Sequence, residues 1–349
     1  MQAKRVFILG NFRDLSLSML TRTRYYWIKG LLRIGCDVRV FSYRNMMVQS
    51  SPFRSLGLAR VFTRGRANAM LLSQIKAYCP DVVLLLGTRV KDLSDRAVSA
   101  MREAAPGAVF AAIEYDWLPE LDGIRRRIGA RMDIVVCVAG GSFLGRYKAV
   151  GAKCCAFMPW PCDPDLQRRY AVGPEWQSDI LFTGRLSNPK IPSCPERHAI
   201  LTRLARRPGA KLYGCHGRPA VSGLDYFRAI SGARIALSIN MVNDVRLYHS
   251  SRTVDCLACG AFTLARRVPD TDLLFQDTVH VRYFEGAEEF SELARWYLAH
   301  DEERERIARA GTEHAHREFN CQRMARHLLD LVEKGRIDAP WAEILREDQ

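Results

Sequence analysis

The sequence has no long hydrophobic run. The apolar segment at residues 81–87 is far shorter than the ~18 residues that a membrane span needs. Residues 1–10 are too short for the core of a signal peptide and favour a first β-strand. With 48% hydrophobic and 26% charged residues, the 349-residue chain is also unlike a disordered or collagen-like protein. The composition predicts a globular protein of about two domains.

Acidic residues are in deficit. Asp and Glu number 38 against 52 Lys and Arg, which gives a net charge of +14. This balance favours polyanionic partners, but the arginines are scattered, and no helix-turn-helix, zinc-finger or RNA-binding signature accompanies them. We therefore predict a phosphate-bearing ligand and no nucleic-acid partner. The basic stretch 124–131 is a candidate for peripheral contact with an anionic membrane, and a solvated helix face is the alternative.

The cysteines form no paired framework. There are 11, an odd number, and they are scattered apart from Cys154-Cys155 and Cys256-x-x-Cys259. A lone C-x-x-C in an apolar helical segment, without a nearby histidine, is typical of core packing rather than of a zinc or redox site. The pattern predicts reduced thiols and a cytoplasmic protein.

Both halves of the chain alternate strands with helices. Val-, Ile- and Leu-rich strands are predicted at residues 5–9, 37–43, 81–86, 108–113 and 134–138, then at 179–183, 210–213, 235–239 and 262–265. Unalternated apolar strands separated by helices indicate parallel sheets covered on both faces. The Pro159-Trp160-Pro161 segment marks the best boundary, and residues 287–334 are almost wholly helical. We predict domains at 1–165 and 175–335, a tail at 336–349, and a ligand in the cleft between two α/β halves.

Two segments of the second half carry the chemistry. In the first, Ser250, Ser251, Arg252 and Thr253 open a helix that ends at Gly260. A helix start with free N–H groups and a guanidinium is suited to a diphosphate, although Ser250 or Ser251 as a plain cap with a solvated Arg252 is the alternative.

The second segment follows a predicted strand. Gly184 permits close approach of a ligand, and Arg185 and Lys190 place two cations on the same loop. An ordinary turn with exposed charges is the alternative. Tyr213, Gly214 and Asn240 lie at other strand ends and are candidates for lining a base or ribose.

Together these residues suit the departure of a nucleoside diphosphate, on which negative charge grows. Arginine, lysine and a helix N-terminus can stabilise that charge without a metal. Two Asp-x-Asp matches, at 163–165 and 270–272, compete as metal ligands, but proline-marked turns explain them better.

The second half resembles the glycosyltransferase-like domain of the CgeB-type, spore-maturation family. The resemblance covers roughly residues 179–329 and rests on the segment from Ser251-Arg252 to Phe262, on Asp272-Leu273-Leu274-Phe275, on Trp296 to Arg304, and on Ala310-Gly311 before Phe319. It implies the GT-B architecture: two Rossmann-like parallel-sheet domains facing a cleft, with a helical C-terminal segment. It also implies transfer from a nucleotide-sugar, with a UDP-sugar favoured and no further cofactor, to a glycan, lipid-linked glycan or protein acceptor.

The chain departs from the pattern of retaining GT-B enzymes, in which two glutamates lie eight positions apart. Here Asp255 occupies the second position and Leu247 the first. Asp255 remains a candidate for accepting hydrogen bonds from ribose or sugar hydroxyls, and pairing with Arg252 is the alternative. His249 is a candidate for a phosphate contact, although a solvated loop histidine is the simpler expectation.

An inverting enzyme would need a general base in the first domain. Glu114 and Asp116, directly after a buried strand, are the best candidates, and Asp14 is the second choice. A non-catalytic nucleotide-sugar-binding scaffold is the alternative function, because the first glutamate is missing. A basic nucleic-acid-binding protein is a third hypothesis, without a base-reading element to support it.

Overall fold

The chain divides into two compact units. The structure, a computed structural model, describes residues 3–12, 19–52, 56–90 and 93–346. The first unit comprises residues 1–158 and 324–349, and the second comprises residues 159–323. The division between Met158 and Pro159 lies at the start of the Pro-Trp-Pro segment, seven residues before the predicted end of the first domain at residue 165.

Strands and helices alternate through both units. Before the boundary the described elements are β1 (Arg5–Gly10), α1 (Met19–Arg33), β2 (Asp37–Ser42), α2 (Tyr43–Gln49), α3 (Leu56–Tyr78), β3 (Val82–Leu86), α4 (Asp95–Ala104), β4 (Val109–Glu114), α5 (Gly123–Gly129), β5 (Ile134–Cys137), α6 (Ser142–Ala149) and β6 (Cys154–Phe157). After it come β7 (Ser178–Thr183), α7 (Pro195–Ala205), β8 (Ala210–Tyr213), α8 (Leu224–Ser231), β9 (Ala233–Ser238), α9 (Ser251–Ala258), β10 (Phe262–Arg266), β11 (Arg282–Phe284), α10 (Ala287–Ala299), α11 (Asp301–Glu318), α12 (Cys321–Lys334) and β12 (Ile344–Arg346).

The first unit is built on a sheet of order β12-β6-β5-β4-β3-β1-β2. Its strands run parallel apart from β12, which pairs antiparallel with β6. The central strand β3 reads Val-Val-Leu-Leu-Leu and is wholly buried, as expected for a strand covered on both faces.

The second unit holds a parallel sheet of order β11-β10-β9-β7-β8. Its core packs apolar side chains of α7, α10 and α11 against the sheet, among them Ile200, Phe290 and Ile307. The predicted parallel α/β halves are therefore confirmed.

The C-terminal boundary differs from the prediction. Residues from Met324 onward belong to the first unit, so neither α12 beyond its first three residues nor the segment after it forms a continuation of the second domain or a separate tail. The reason is long-range pairing: β12 extends the first sheet at β6, and Trp341 packs edge-on against Phe157 with ring centres 5.9 Å apart.

The basic stretch 124–131 is only partly exposed, with Arg126 in solvent. It contributes the short helix α5, in which Arg125 and Ile128 are buried inside the first unit. Arg125 is held by ion pairs to Glu114 and Asp122, both at 2.8 Å. Peripheral contact of this stretch with an anionic membrane stays a prediction. Within the described ranges, no helix combines the length and apolar character needed to cross a membrane.

All 11 cysteines are free thiols in the structure. Cys256 and Cys259 are buried in and just after α9, so their C-x-x-C spacing serves core packing.

Candidate functional site

The residues singled out in the second half converge on the carboxyl edge of the second sheet. There the chain order reverses, because β8 lies outside β7 whereas β9 lies on the other side of β7. Ligands of open parallel sheets bind at such a reversal, outside the carboxyl ends of the strands. The loops after β7, β8 and β9 carry the predicted residues, so the structure brings them to one edge.

Arg252 bridges the two strands on either side of this reversal. Its side chain is buried, with Nη1 donating to the carbonyl of Thr183 at 2.9 Å and Nη2 donating to the carbonyl of Ile239 at 2.6 Å. The guanidinium also lies 4.8 Å from the centre of the Phe182 ring. Its Nε is buried and has no hydrogen-bond partner among the described residues. Burial lowers the pKa of Arg252 below its usual range. Arg252 therefore fixes the backbone of the site from beneath, rather than standing in solvent.

Gly184 is required by the close approach of Arg252. Its φ is +142°, and an added Cβ would lie 2.8 Å from Nη1 of Arg252. Gly184 donates its N–H to the carbonyl of Tyr213 at 2.9 Å, which ties the ends of β7 and β8 together. Gly214 has a φ of +81°, and a Cβ there would lie 3.3 Å from the carbonyl oxygen of Gly184. The two glycines thus let neighbouring strand ends meet without side chains between them.

Arg185 and Lys190 are exposed on the loop that follows. A turn fixes the loop near Lys190, whose N–H donates to Oδ1 of Asn188 at 3.0 Å. Because Gly184 touches Arg252 and directly precedes Arg185, the cationic loop starts beside the buried guanidinium. Two exposed cations on a loop that starts beside a buried one are suited to an anionic ligand.

The N-terminus of α9 lies at the same edge. Ser250 is the N-cap residue, and its N–H donates to Oδ1 of Asn240 at 3.1 Å. The Oγ of Ser250 makes no capping bond and is a buried hydroxyl without a partner in the described part of the chain. Asn240 also donates from Nδ2 to the carbonyl of Tyr248 at 3.2 Å, so it locks the loop before the helix. Of the next residues, Ser251 is half-buried, and Thr253 turns inward to bond with Ser238 at 2.8 Å.

Asp255 faces the interior of the second unit. One carboxylate oxygen accepts a hydrogen bond from the buried Gln167, and the other accepts one from the hydroxyl of Tyr226 at 3.1 Å. These two neutral donors are its hydrogen-bond partners, and its charge also acts on Arg252, where it offsets part of the lowering of the pKa by burial. Leu247, at the position of the absent glutamate, is buried in the left-handed region with a φ of +58°.

His249 is buried rather than solvated, so the simpler expectation for it is wrong. Nδ1 of its ring lies 3.0 Å from the carbonyl of Leu247. Burial lowers the pKa of His249 to about 4, which keeps the imidazole neutral near pH 7. The backbone carbonyl of His249 accepts a hydrogen bond from the indole of Trp160 at 3.0 Å. Its role is therefore to pack the loop before α9.

The aspartates of the two Asp-x-Asp matches lie in loop and turn segments, apart from Asp272, which lies in the 3-10 helix Thr271–Leu273. Oδ1 of Asp163 accepts the N–H of Asp165 at 3.1 Å, and Asp270 and Asp272 pair with Arg246 and Arg267 at 2.6 Å each. Within the ranges that the structure covers, no three His, Cys, Asp or Glu side chains form a group able to hold a metal ion.

In the first unit, the two candidate bases have different surroundings. Glu114 is buried, and its Oε2 accepts hydrogen bonds from Thr88, from Tyr147 at 2.5 Å and from Arg125 at 2.8 Å. The side chain of Asp116 is 67% exposed and lies 3.3 Å from Arg125. Partial desolvation and the charge of Glu114 raise the pKa of Asp116. We therefore keep Asp116 as the candidate base and assign Glu114 a positioning role, while Asp14 lies outside the described residues.

Two residues of the second unit were missed by the sequence analysis. Arg197, near the start of α7, is 2% exposed and reaches the carbonyls of Arg185 and Ile239. Gln167, in the loop before β7, is fully buried against Asp255. A signal for Arg197 exists in hindsight: it follows the cationic loop directly, at the third position of a helix opened by Pro195. Nothing in the sequence marks Gln167.

Comparison with known proteins places this geometry in context. Residues 167–330 match a protein family described as glycosyl transferase-like. Curated proteins gave no match.

Among solved structures, the chain is similar to the HepE protein of Anabaena in complex with UDP and glucose. The two share 11% identity with a TM-score of 0.58, over 95% of this chain and 99% of that one. A sucrose-phosphate synthase of Thermosynechococcus elongatus aligns with 13% identity and a TM-score of 0.60, over 95% and 98%. A glycosyltransferase of Rickettsia africae aligns with 10% identity and a TM-score of 0.60, over 96% of this chain and 99% of that one.

These similarities agree with the two α/β units described above. The two parallel-sheet units have the fold of GT-B glycosyltransferases, and the second unit, which carries the candidate site, matches the glycosyl transferase-like family.

Proposed function

We propose that this protein is a CgeB-type, hexosyltransferase-like glycosyltransferase that uses a nucleotide-sugar, with a UDP-sugar as the favoured donor. Its acceptor is a glycan, a lipid-linked glycan or a protein. The family match over residues 167–330 supports transfer chemistry, and structures of HepE with UDP and with UDP-glucose support the choice of nucleotide.

One observation carries the proposal. At the reversal point of the second sheet, the loop with Arg185 and Lys190, the unpartnered hydroxyl of Ser250 and the N-terminus of α9 meet beside the buried Arg252. In glycosyl transfer the bond between the anomeric carbon and the diphosphate oxygen breaks, and the electron pair leaves with the diphosphate. Cations, a hydroxyl donor and helix N–H groups at this edge would stabilise the growing charge without a metal.

Acceptor activation is the second part of the proposed mechanism. In an inverting reaction Asp116 would take the proton of the acceptor hydroxyl as that oxygen attacks the anomeric carbon. Its exposure and raised pKa suit a general base, and Glu114 with Arg125 would hold the segment after β4 in place.

A ligand panel with a matched pair of variants tests the proposal. Thermal unfolding would be followed with UDP, GDP, dTDP, ADP and CMP, and nucleotide release would be followed with UDP-sugars and an acceptor panel. We expect UDP to stabilise the protein most, by about 2.7 kcal/mol at one hundred times its Kd. We expect Arg185→Ala to weaken UDP binding at least tenfold because a charge-assisted contact is lost.

Arg206→Ala is the matched control. Arg206 is also an exposed arginine of the second unit, but it lies at the C-terminal end of α7, whereas the loop with Arg185 precedes the N-terminal end of that helix. Equal UDP affinity in both variants would contradict the site assignment. Binding of UDP without turnover of any donor would favour the scaffold alternative, which the absent glutamate at Leu247 keeps open.

A further inference from the structure

Arg197 is a charged side chain almost completely withdrawn from water. Its Nη2 donates to the carbonyl of Arg185 at 2.5 Å, its Nε donates to the carbonyl of Leu186 at 3.4 Å, and its Nη1 reaches the carbonyl of Ile239. Three donors thus fasten the start of the cationic loop to the end of β9. The guanidinium determines where the backbone of Arg185 lies.

Arg197 and Arg252 form a pair of like charges. Both donate to the carbonyl of Ile239, and their guanidinium carbons lie 4.9 Å and 4.8 Å from the centre of the Phe182 ring. Burial and the neighbouring Arg252 lower the pKa of Arg197 to about 9. The ring face and the carbonyl dipoles offset part of this repulsion, but they carry no net charge.

Other buried arginines do have carboxylate partners. In the described part of the chain the buried arginines are Arg125, Arg197, Arg252 and Arg304. Arg125 pairs with three carboxylates, and Arg304 pairs with Asp301 at 2.6 Å. No ion pair to a carboxylate is found for Arg197 or Arg252 within the described ranges, although the charge of the buried Asp255 offsets part of the lowering of the Arg252 pKa by burial. One carboxylate near two buried guanidinium groups leaves the pair with an excess of positive charge, which is costly unless a further anion compensates it.

The position of the pair identifies the compensating group. It lies at the carboxyl edge of the sheet, directly beneath Gly184 and close to the N-terminus of α9, where the unpartnered Ser250 hydroxyl also lies. We propose that Arg197 and Arg252 together form the fixed counter-charge of the bound diphosphate, and that Arg197 is a positioning residue that orients the loop carrying Arg185. This inference rests on the proposed function and extends it to a residue that does not need to touch the ligand.

The experiment compares Arg197→Met, Arg197→Lys and the control Arg203→Met. Arg203 lies on the same helix but is exposed, and it pairs with Glu288 on the surface. Calorimetry would give the affinities for UDP and inorganic pyrophosphate. Saturation-transfer NMR would give the affinity for uridine. Urea unfolding without ligand would show that each variant is folded.

We expect Arg197→Met to weaken UDP and pyrophosphate binding by a similar factor of about ten to one hundred, because the charge and the loop anchor are both lost. Arg197→Lys should recover part of this loss, because the charge is kept. Uridine binding should not change, because uridine carries no phosphate, and Arg203→Met should bind all three ligands like the wild type. If Arg197→Met does not fold, Arg197→Lys decides: we expect it to weaken pyrophosphate binding more than uridine binding.

Three outcomes would overturn the inference. UDP and pyrophosphate affinities equal to those of Arg203→Met would remove Arg197 from the site and leave the proposed function intact. If the measured Arg197 variant loses as much affinity for uridine as for UDP and pyrophosphate, Arg197 has a merely structural role. Failure of the wild type to bind any nucleoside diphosphate or pyrophosphate would overturn the proposed function together with the inference.

Discussion

Gly184 shows how one residue without a side chain determines the architecture of the site. The backbone there has a φ of +142°, and the space that a Cβ would fill holds the guanidinium of Arg252. An alanine must therefore adopt an unfavourable conformation and push a buried charge away from its carbonyl partners.

We predict that Gly184→Ala destabilises the protein by about 2 kcal/mol or more and also weakens UDP binding. Gly217→Ala is the control, because Gly217 also has a positive φ, +73°, but nothing lies within 4 Å of its added Cβ. Gly217→Ala should lower the free energy of unfolding by about 1 kcal/mol through backbone strain alone, and the variant should bind UDP like the wild type. Urea unfolding and calorimetry measure both effects, and equal behaviour of the two variants would contradict the packing account.

Glu114 and Asp116 allow positioning to be separated from catalysis. Glu114→Gln removes the most deeply buried of the three carboxylates that pair with Arg125, so we expect a loss of about 3 kcal/mol in unfolding free energy. Asp116 is exposed, so Asp116→Asn should change stability by less than about 0.5 kcal/mol.

If Asp116 is the base, Asp116→Asn should lower kcat on the order of 10²-fold or more. In the wild type the rate should fall as the pH drops through the raised pKa of Asp116, because the protonated carboxyl cannot accept a proton. That acidic limb should be absent from the residual rate of the variant. An unchanged pH profile and an unchanged kcat would exclude Asp116 as the base.

At the scale of elements, α11 is fastened to the loop before β11 by two stacked histidines. The rings of His280 and His314 lie 3.9 Å apart at an angle of 12°, and Nε2 of His314 bonds to the carbonyl of Leu274 at 2.7 Å. Burial and the neighbouring His314 lower the pKa of His280 to about 4, and burial lowers that of His314.

Because the folded state binds these protons less readily than the unfolded state, stability should be fully present above about pH 6.5 and decrease as the pH falls toward 4. Urea unfolding between pH 4.5 and pH 7.5 measures this slope. We expect His280→Phe to reduce it, since phenylalanine keeps a ring and does not titrate. An identical slope in the variant would mean that other groups control the acid sensitivity.

The C-terminal strand β12 gives a second test among elements. Trp341 is buried against Phe157 and His327 although only three residues of β12 pair with β6. We predict that Trp341→Ala lowers the free energy of unfolding by about 3 kcal/mol and increases hydrogen exchange in β6. Trp296→Ala, which truncates an exposed tryptophan of α10, should change stability far less. Unaltered exchange in β6 would contradict the assignment of this segment to the first unit.

For the whole molecule, local patterns predicted most of the fold, and long-range contacts explain the rest. Apolar runs such as β3, and the helix from Ser251 to Ala258 before Gly260, are determined by short-range composition, so the two parallel sheets could be predicted. Strand β12 could not be predicted, because its antiparallel pairing with β6 joins residues almost 200 positions apart. The short helices α2 and α6 were not predicted either, since seven or eight residues carry little periodicity.

The same distinction holds for the site. Gly184, Arg185 and the start of α9 could be predicted, because a glycine at a strand end and hydroxyls before a helix are local signals. The burial of Arg252 and the participation of Arg197 could not, because only the meeting of three strand ends shows that both guanidinium groups lie under the loops. Asp255 likewise finds its partners in Gln167 and Tyr226, which are 88 and 29 positions away.

The most direct test of the central claim is a crystal structure of the protein with UDP. The account predicts that the diphosphate lies at the carboxyl edge of the second sheet, within hydrogen-bond distance of the Ser250 hydroxyl or the first N–H groups of α9, with Arg185 or Lys190 turned toward it. A diphosphate bound at another edge, or one that leaves Ser250 and both cations without contact, would contradict it.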